Sequence, residues 1–157
     1  MKPQVRHAKV SDALEIADLI RFTSISCCFS TDNPCPEWYL ESIKVEEIAT
    51  LLQDDYMDWA VVTQERALAG VLAIASKSHV KYFFVHPQFQ RYGIGKLLWY
   101  FAEQSGLLGP SLTVRSSLFA VPVYERLGFV ATNAAEKFME MEYQTMIAVR
   151  DLKSETV

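Results

Sequence analysis

The stretch from Phe83 to Leu98, FFVHPQFQRYGIGKLL, constrains the fold of this chain more than any other. An apolar run, Tyr82–Val85, ends at His86-Pro87, and the polar loop Gln88–Arg91 follows. Helical periodicity then begins, with apolar residues at i, i+3, i+4 and i+7: Ile94, Leu97, Leu98 and Phe101. The pattern predicts a strand, a turn and the N-terminus of an amphipathic helix.

The two glycines at this predicted helix start indicate an anion-binding site. The first amides of a helix have no partner within the helix, and the helix dipole places partial positive charge there. Gly93 and Gly95 remove side chains that would keep an anion away from those amides, and Arg91 adds a full positive charge. The anion expected is a phosphate or a diphosphate. A plain strand-to-helix turn without ligand is the alternative.

Two common phosphate-binding motifs do not fit. A P-loop requires Ser or Thr after Gly95-Lys96, where this chain has Leu97, and the dinucleotide motif GxGxxG requires a third glycine. Val85 to Gly95 does fill the pattern V-x-P-x-x-(Q/R)-(R/G)-x-G-x-(G/A), and this stretch resembles the coenzyme A loop of the GCN5-related N-acetyltransferases (GNAT).

A second block, Ser116 to Phe129 (SSLFAVPVYERLGF), also resembles this family, in which it forms the turn and helix on the far side of the cofactor. The resemblance implies that Tyr124 carries a hydroxyl near the thioester sulfur. Family members often have Asn seven residues before this tyrosine. Ser117 stands there in this chain and retains the ability to cap a helix and to hydrogen-bond.

Periodicity and turn residues predict the remaining elements. The prediction begins with a strand over Gln4–Ala8, a helix capped by Ser11 or Asp12, a loop or broken helix over Thr23–Pro36, and a helix around Val45–Leu52. Short turns connect three further strands, which predicts an antiparallel meander: Trp59–Thr63, Ala67–Ala75 and His79–Val85.

The second half of the chain is predicted to cross over and to close the sheet. A helix over Gly93–Gln104 leads to a strand over Ser111–Val114, and this crossover implies a parallel strand pair. Pro122 lacks an N–H, so the helix over Leu118–Leu127 should begin late and end at Gly128. The prediction ends with a strand over Phe129–Thr132, a loop over Asn133–Glu136, a strand alternating from Met139 to Val149, and a fraying tail over Lys153–Val157.

The predicted fold class is mixed α/β, of the α+β type, with the element order βααβββαβαββ. We expect one acetyltransferase domain over residues 1–157, with a central, mostly antiparallel sheet. The family resemblance implies that its one parallel strand pair splays apart and holds the pantetheine arm in the gap.

Composition limits the expected partners. The chain has 157 residues, half of them apolar, and a formal charge of −4. There is no basic patch for nucleic acid, no apolar run long enough for a membrane span and no signal-peptide core. We therefore expect no nucleic-acid partner, no membrane association and a cytoplasmic location. Cys27, Cys28 and Cys35 lack CxxC spacing and a fourth ligand, so no metal site is predicted and the thiols should be reduced.

The resemblance also implies a set of cofactor-binding residues for acetyl-coenzyme A. Pantetheine would pair with the main chain of the strand, and the diphosphate would be wrapped by the loop and the helix start. The implied residues are Phe83, Phe84, Val85, Arg91, Tyr92, Gly93, Ile94, Gly95, Lys96, Ser117 and Tyr124.

The implied reaction is direct attack of an amine on the acetyl thioester, with Tyr124 as the acid that protonates the thiolate. Many family members place a Glu on the strand before the loop, but Lys77 to Val85 contains no carboxylate. His79 has the parity of Phe83 and Val85, which predicts that it shares their face of the strand and is a candidate base. Water leading to a distant carboxylate is the alternative.

The acceptor pocket is predicted from the aromatic residues Phe29, Trp38 and Tyr39, which lie in the region that walls this pocket in the family. A purely structural role, covering the sheet, is the alternative. The predicted function is acetyl transfer to a primary amine of a small molecule or protein. The other hypothesis is a degenerate member that binds the cofactor as a sensor or interaction module. A homodimer is expected only by analogy with the family.

Overall fold

The computed structural model describes residues 2–150, which form one twisted sheet with helices on both faces. The helices and strands are β1 Gln4–His7, α1 Ala13–Cys28, α2 Glu37–Ser42, α3 Val45–Leu52, β2 Met57–Gln64, β3 Ala67–Ala75, β4 His79–Val85, α4 Ile94–Gln104, β5 Ser111–Ser116, α5 Val121–Arg126, β6 Val130–Ala131, β7 Glu136–Phe138 and β8 Met141–Val149. The predicted tail over 153–157 lies outside the described residues.

The sheet has the strand order β1-β2-β3-β4-β5-β8-β6, and β7 pairs with β8 alone. Neighbouring strands run antiparallel except β4 and β5, which are parallel. This confirms the predicted fold class. Within residues 2–150, none of the helices combines the length and apolar character needed to cross a bilayer.

Two apolar cores occupy the two faces of the sheet. On one face α1 and α3 pack through fully buried Ile16, Ile20 and Ile48 against Val71 and Tyr82. The other face is covered by α4 and α5, where the buried residues include Leu98, Trp99, Tyr124, Phe129 and Met146. Because burying one such side chain contributes about 1.5–3 kcal/mol, each helix is anchored chiefly by its apolar face.

Helix α1 is longer than predicted and ends at Cys28. Residues 23–28, predicted as the start of a loop or broken helix, therefore belong to this helix. Thr23 and Ser24 are buried on the inner face of the helix, and Ser24 Oγ shares a 3.0 Å hydrogen bond with Tyr39 Oη. Tertiary packing therefore overrides the low helix propensity of this polar stretch. The short helix α2 was not predicted and raises the number of helices before β2 to three.

The predicted side-chain cap of α1 is also wrong. Asp12 occupies the N-cap position, but its carboxylate accepts hydrogen bonds from Lys9 N at 2.7 Å and from Arg6 Nη1 and Nη2 at 2.8 and 2.9 Å. The Arg6 guanidinium lowers the pKa of Asp12. The residue thus closes the short 3₁₀ turn Val10–Asp12 and ties it to β1.

Residues 136–149 form a hairpin that the sequence did not indicate. Strand β7 begins at Glu136, the last residue of the predicted loop, and continues over Lys137 and Phe138, for which no element was predicted. Met139 and Glu140, where the last strand was predicted to begin, form a turn with positive φ. The observed order is therefore βαααβββαβαβββ. The late start of α5, with Pro122 in its first turn, and Gly128 at φ +98° confirm the predicted ends of that helix.

Candidate active site

The gap between β4 and β5 is the centre of the candidate site. The two strands pair in parallel only at His79 with Thr113 and at Val80 with Val114, and beyond these pairs they separate. Each strand then pairs on one side only, β4 with β3 and β5 with β8. Main-chain groups on both inner edges are therefore available to an extended ligand, as at an open sheet edge.

The helix start beside this gap has the expected geometry. Gly93 adopts φ +78°, a left-handed conformation that favours glycine, and a Cβ there would meet nothing within 4 Å. The first intrahelical bond of α4 runs from Leu97 N to Gly93 O, so the amides of Ile94, Gly95 and Lys96 precede the hydrogen-bonded turns. Arg91, which is exposed, is itself held at φ +73°. These groups fit a diphosphate.

The other predicted loop residues divide into two kinds. Ile94 is buried in the core and offers only its amide, whereas Tyr92 is 74 % exposed and Lys96 is exposed.

Val85 O accepts a hydrogen bond from Gln90 Nε2 at 3.0 Å, and the same amide lies 3.6 Å from Cys27 Sγ at the end of α1. Gln90 fills the (Q/R) position of the motif but was not among the implied cofactor-binding residues, and it links the loop to α1.

Tyr124 lies beneath the gap on the α4 side of the sheet. Its ring is buried and makes edge contacts with Phe83 at 6.0 Å and Phe129 at 5.4 Å between centroids. Burial raises the pKa of Tyr124 far above its ordinary value, with a smaller effect from Cys28 across the gap. The phenol is therefore protonated at neutral pH and available as a donor.

Ser117 lies between the turn that leads to α5 and Cys28 at the end of α1. Its Oγ accepts a hydrogen bond from Ala120 N at 3.2 Å, which orders the turn that leads to α5. Burial raises the pKa of the nearby Cys28 thiol, and Ser117 offsets part of that increase. All three cysteines are free. Cys28 was not predicted as a site residue, because its stretch was taken for a loop.

His79 occupies a face of the sheet different from the predicted one. Ala73 pairs with Tyr82 and Ile74 with Val80, so Lys81 has no partner and forms a β-bulge. The extra residue resets the alternation: Val80 joins the α4-side core with Phe83 and Val85, and His79 points to the other face. The predicted shared face is therefore wrong.

On that other face, His79 Nδ1 lies 2.7 Å from Thr113 Oγ1 in a hydrogen bond across the parallel pair. Burial lowers the pKa of His79, and the nearby cations Lys81 and Arg115 lower it further. The imidazole is therefore neutral near pH 7. This is the protonation state that a base requires.

The aromatic residues predicted for the acceptor pocket lie together near the end of α1. Phe29 and Trp38 both contact Tyr39, at 6.3 and 6.2 Å between centroids. The hairpin β7–β8 completes the cluster, since Phe138 contacts the Trp38 ring at 5.4 Å and Met139 O accepts a 2.8 Å hydrogen bond from Trp38 Nε1. Tyr39 is tied down by Ser24, so its hydroxyl is structural.

The sheet parts at one parallel strand pair, beside an open helix N-terminus, and this arrangement can hold an extended ligand that carries a diphosphate. A family model described as "Acetyltransferase (GNAT) domain" matches residues 29–149. The chain therefore belongs to the GNAT acetyltransferase family, as the sequence motifs predicted. It is an N-acetyltransferase of that family, and its cofactor is acetyl-coenzyme A.

Solved structures share this fold at low sequence identity. A GCN5-related N-acetyltransferase from Rhodopseudomonas palustris is 18 % identical with a TM-score of 0.75, over 96 % of this chain and 97 % of that one. PaiA N-acetyltransferase from Thermoplasma acidophilum, in complex with coenzyme A, is 14 % identical with a TM-score of 0.75, over 96 % and 100 %.

A third similar structure is the ribosomal-protein-S18-alanine N-acetyltransferase from Escherichia coli. It is 16 % identical with a TM-score of 0.67, over 99 % of each chain. No curated protein sequence matches this chain. At these identities the likeness shows the fold and leaves the acceptor to be argued from this chain's own residues.

Proposed function

We propose that this protein transfers an acetyl group from acetyl-coenzyme A to a primary amine, of a small molecule or a protein, by direct attack in a ternary complex. One observation carries the proposal: β4 and β5 part after two residue pairs, with a buried, protonated Tyr124 on one side of the gap and a neutral His79 on the other. An acid and a base thus border one opening in the sheet.

The cofactor would be held mainly by the main chain. Phe83, Phe84 and Val85 would pair with pantetheine along the free edge of β4, and residues 91–96 would surround the diphosphate. Acetyl-coenzyme A supplies the acyl group as a thioester. Ser117 would order the opposite side of the gap through its bond to Ala120 N.

His79 is the proposed base. As the new C–N bond forms, the amine must lose a proton, and a neutral imidazole accepts it. When the Thr113 hydroxyl donates to Ser78 O, at 3.5 Å, Nδ1 of His79 becomes the donor to Thr113 and Nε2 carries the free lone pair. Water leading to a carboxylate is the alternative route for this proton.

Tyr124 is the proposed acid. As the C–S bond breaks, its hydroxyl donates a proton to the departing sulfur. The β-bulge supplies a third group: Lys81 lies outside the pairing of β3 and β4 beside the gap, and its main-chain amide is the proposed donor to the acyl oxygen, where negative charge develops.

A second candidate function is cofactor binding without chemistry, as a sensor or interaction module. The absence of any carboxylate from β4 favours it. The two functions separate in one assay, since both require coenzyme A binding and only the enzyme releases coenzyme A in an amine-dependent way.

The test is acetyl-coenzyme A turnover against a panel of amines, with Tyr124→Phe beside the wild type. Phe keeps the ring that packs on Phe83 and Phe129, so the fold and the cofactor Kd should be retained. Loss of the acid should lower kcat by about a hundredfold. Tyr100→Phe, at a tyrosine 60 % exposed on α4, is the matched control. Equal turnover by the two variants would remove Tyr124 from the mechanism.

A further inference from the structure

The two faces of the gap differ in their surroundings. On one face α4 and α5 form a continuous core around Phe83 and Tyr124. The other face carries His79 and Thr113, joined by their hydrogen bond, at the closed end of the gap. Helix α1 ends at Cys28, next to Ser117, which follows the last residue of β5. An acceptor amine must therefore approach from the His79 face, because the opposite face is filled.

This approach face carries one cation from each side of the gap. Arg115 lies two residues beyond Thr113 on β5, whose pairing with β8 is regular, so both side chains point the same way. Lys81 is the bulged residue of β4, and its Nζ lies 5.4 Å from the centroid of the Tyr82 ring, which faces α1. Both residues are exposed.

Neither cation is neutralised by an ion pair. Within residues 2–150 the ion pairs are Arg6–Asp12, Lys44–Glu41 and Lys77–Asp58. Arg115 instead stacks on the Tyr143 ring, with its Cζ 5.4 Å from the centroid, and this contact leaves its N–H edge free. Glu136 raises the pKa of Tyr143 and Glu47 contributes to the raised pKa of Tyr82, but neither carboxylate forms an ion pair with Arg115 or Lys81 in the part of the chain that the structure describes.

Both cations also act on the same imidazole, since each lowers the pKa of His79. The strand geometry agrees, because Lys81 lies two residues after His79 on β4 and Arg115 lies two residues after its partner Thr113 on β5. In a chain of net charge −4, two unpaired cations at a cleft form a local positive field that repels polycationic amines and attracts an anionic group.

We propose that the acceptor is an amine that also carries a carboxylate, which Arg115 and Lys81 bind while the amine faces the gap. The guanidinium edge of Arg115 matches a carboxylate, and Lys81 adds a point charge from the other side. Free amino acids and the N-termini of acidic peptides share this chemistry. The inference rests on the proposed acetyl transfer and specifies its substrate class.

The test compares amines that differ only in the carboxylate. Phenylalanine is paired with phenethylamine and lysine with cadaverine, and a tetrapeptide with Glu at its second position is paired with its Gln counterpart. Hydrogen bonds to a charged group contribute about 1.5–3 kcal/mol, so kcat/KM should favour the carboxylate member by roughly tenfold to a hundredfold in the amino-acid or the peptide arm. The arm that shows this preference distinguishes the two sources.

Arg115→Gln and Lys81→Met should each reduce this preference severalfold or more, mainly through KM for the amine. Lys44→Met, which removes an exposed lysine paired with Glu41, should leave the preference unchanged. Melting temperatures of all variants show whether the fold is retained.

Equal or better transfer to the decarboxylated members, or a preference unchanged in both variants, would overturn the carboxylate inference while acetyl transfer stands. If no amine is acetylated although coenzyme A still raises the melting temperature, the proposed function fails and the inference with it.

Discussion

Gly95 and Gly93, both proposed to border the cofactor diphosphate, differ in what restricts substitution there. A Cβ at Gly95 would make ordinary van der Waals contacts, 3.6 Å from Phe83 Cζ and 3.7 Å from Val85 Cγ2, so alanine fits there and only a larger side chain would meet these two residues. At Gly93 space is open and the backbone, at φ +78°, sets the requirement. The spacing of the motif pointed to both glycines. It could not show that the available space matters at Gly95 and the backbone conformation at Gly93.

We predict that Gly95→Ala retains coenzyme A affinity within a few fold, because its Cβ makes ordinary van der Waals contacts. Gly95→Val adds two branched methyl groups beside Phe83 and Val85 and should weaken binding by at least about tenfold while the fold survives. Calorimetric titration of each folded variant measures the difference. Unchanged affinity in Gly95→Val would mean that the loop is a plain turn.

The face of the strand on which His79 lies could not be predicted from the sequence of β4. Parity along β4 placed it with Phe83, and the bulge at Lys81 reversed that placement. Bulges depend on the register with the neighbouring strand, and nothing in the sequence of β4 alone marks the extra residue. The role of His79 as base stays a prediction, whereas the predicted face of the strand was wrong.

The pH dependence of kcat/KM tests His79 as the base. Its pKa is lowered by burial and by Lys81 and Arg115, so the acidic limb should lie below the ordinary value of about 6.5. Lys81→Met removes one cation and should move the limb to higher pH, and His79→Gln should abolish it. A folded His79→Gln enzyme with near-normal rate and an unchanged limb would leave the proton to water and a distant carboxylate.

At the scale of elements, strands joined by tight turns were the most predictable. β3 and β4 begin and end where the sequence indicated, and their turns use positive φ at Glu65, Arg66, Ser76 and Lys77. The end of α1 and the β7–β8 hairpin were missed, because their signals are tertiary. Ser24 is satisfied by Tyr39, and the hairpin tip is held by Trp38, 101 residues away.

The contact of Trp38 with the hairpin predicts a local stability effect. Trp38→Phe keeps an aromatic ring against Phe138 but removes the donor to Met139 O, a bond of about 1 kcal/mol. Amides of residues 138–141 should then exchange with solvent roughly fivefold faster. Hydrogen-exchange mass spectrometry measures this, with the β2–β3 turn at Glu65 and Arg66 as the internal control. If Trp38→Phe changes the exchange rate at residues 138–141 no more than at the control turn, the hairpin is held by other contacts.

For the whole molecule, the site arises from the order of strands in the sheet. The crossover through α4 brings β5 beside β4. After Val80 and Val114 the two strands no longer pair, and β5 continues to pair with β8 alone. The motifs indicated both sides of the gap. The assignment of Tyr124 to one face and of His79, Lys81 and Arg115 to the other follows from three-dimensional packing, which no spacing in the sequence specifies.

Because this gap and loop exist only in the folded chain, coenzyme A should stabilise the whole protein by mass action. At about one hundred times its Kd, a ligand adds about 2.7 kcal/mol, which corresponds to a rise in Tm of roughly 5–10 °C for a domain of this size. NAD and ATP share the diphosphate but lack pantetheine to pair with β4, so each should raise Tm much less. Differential scanning fluorimetry at matched concentrations gives the comparison, with Gly95→Val as the control in which the coenzyme A shift should fall to about half or less. A larger shift with NAD than with coenzyme A would contradict the assignment of the β4–β5 gap as the pantetheine site.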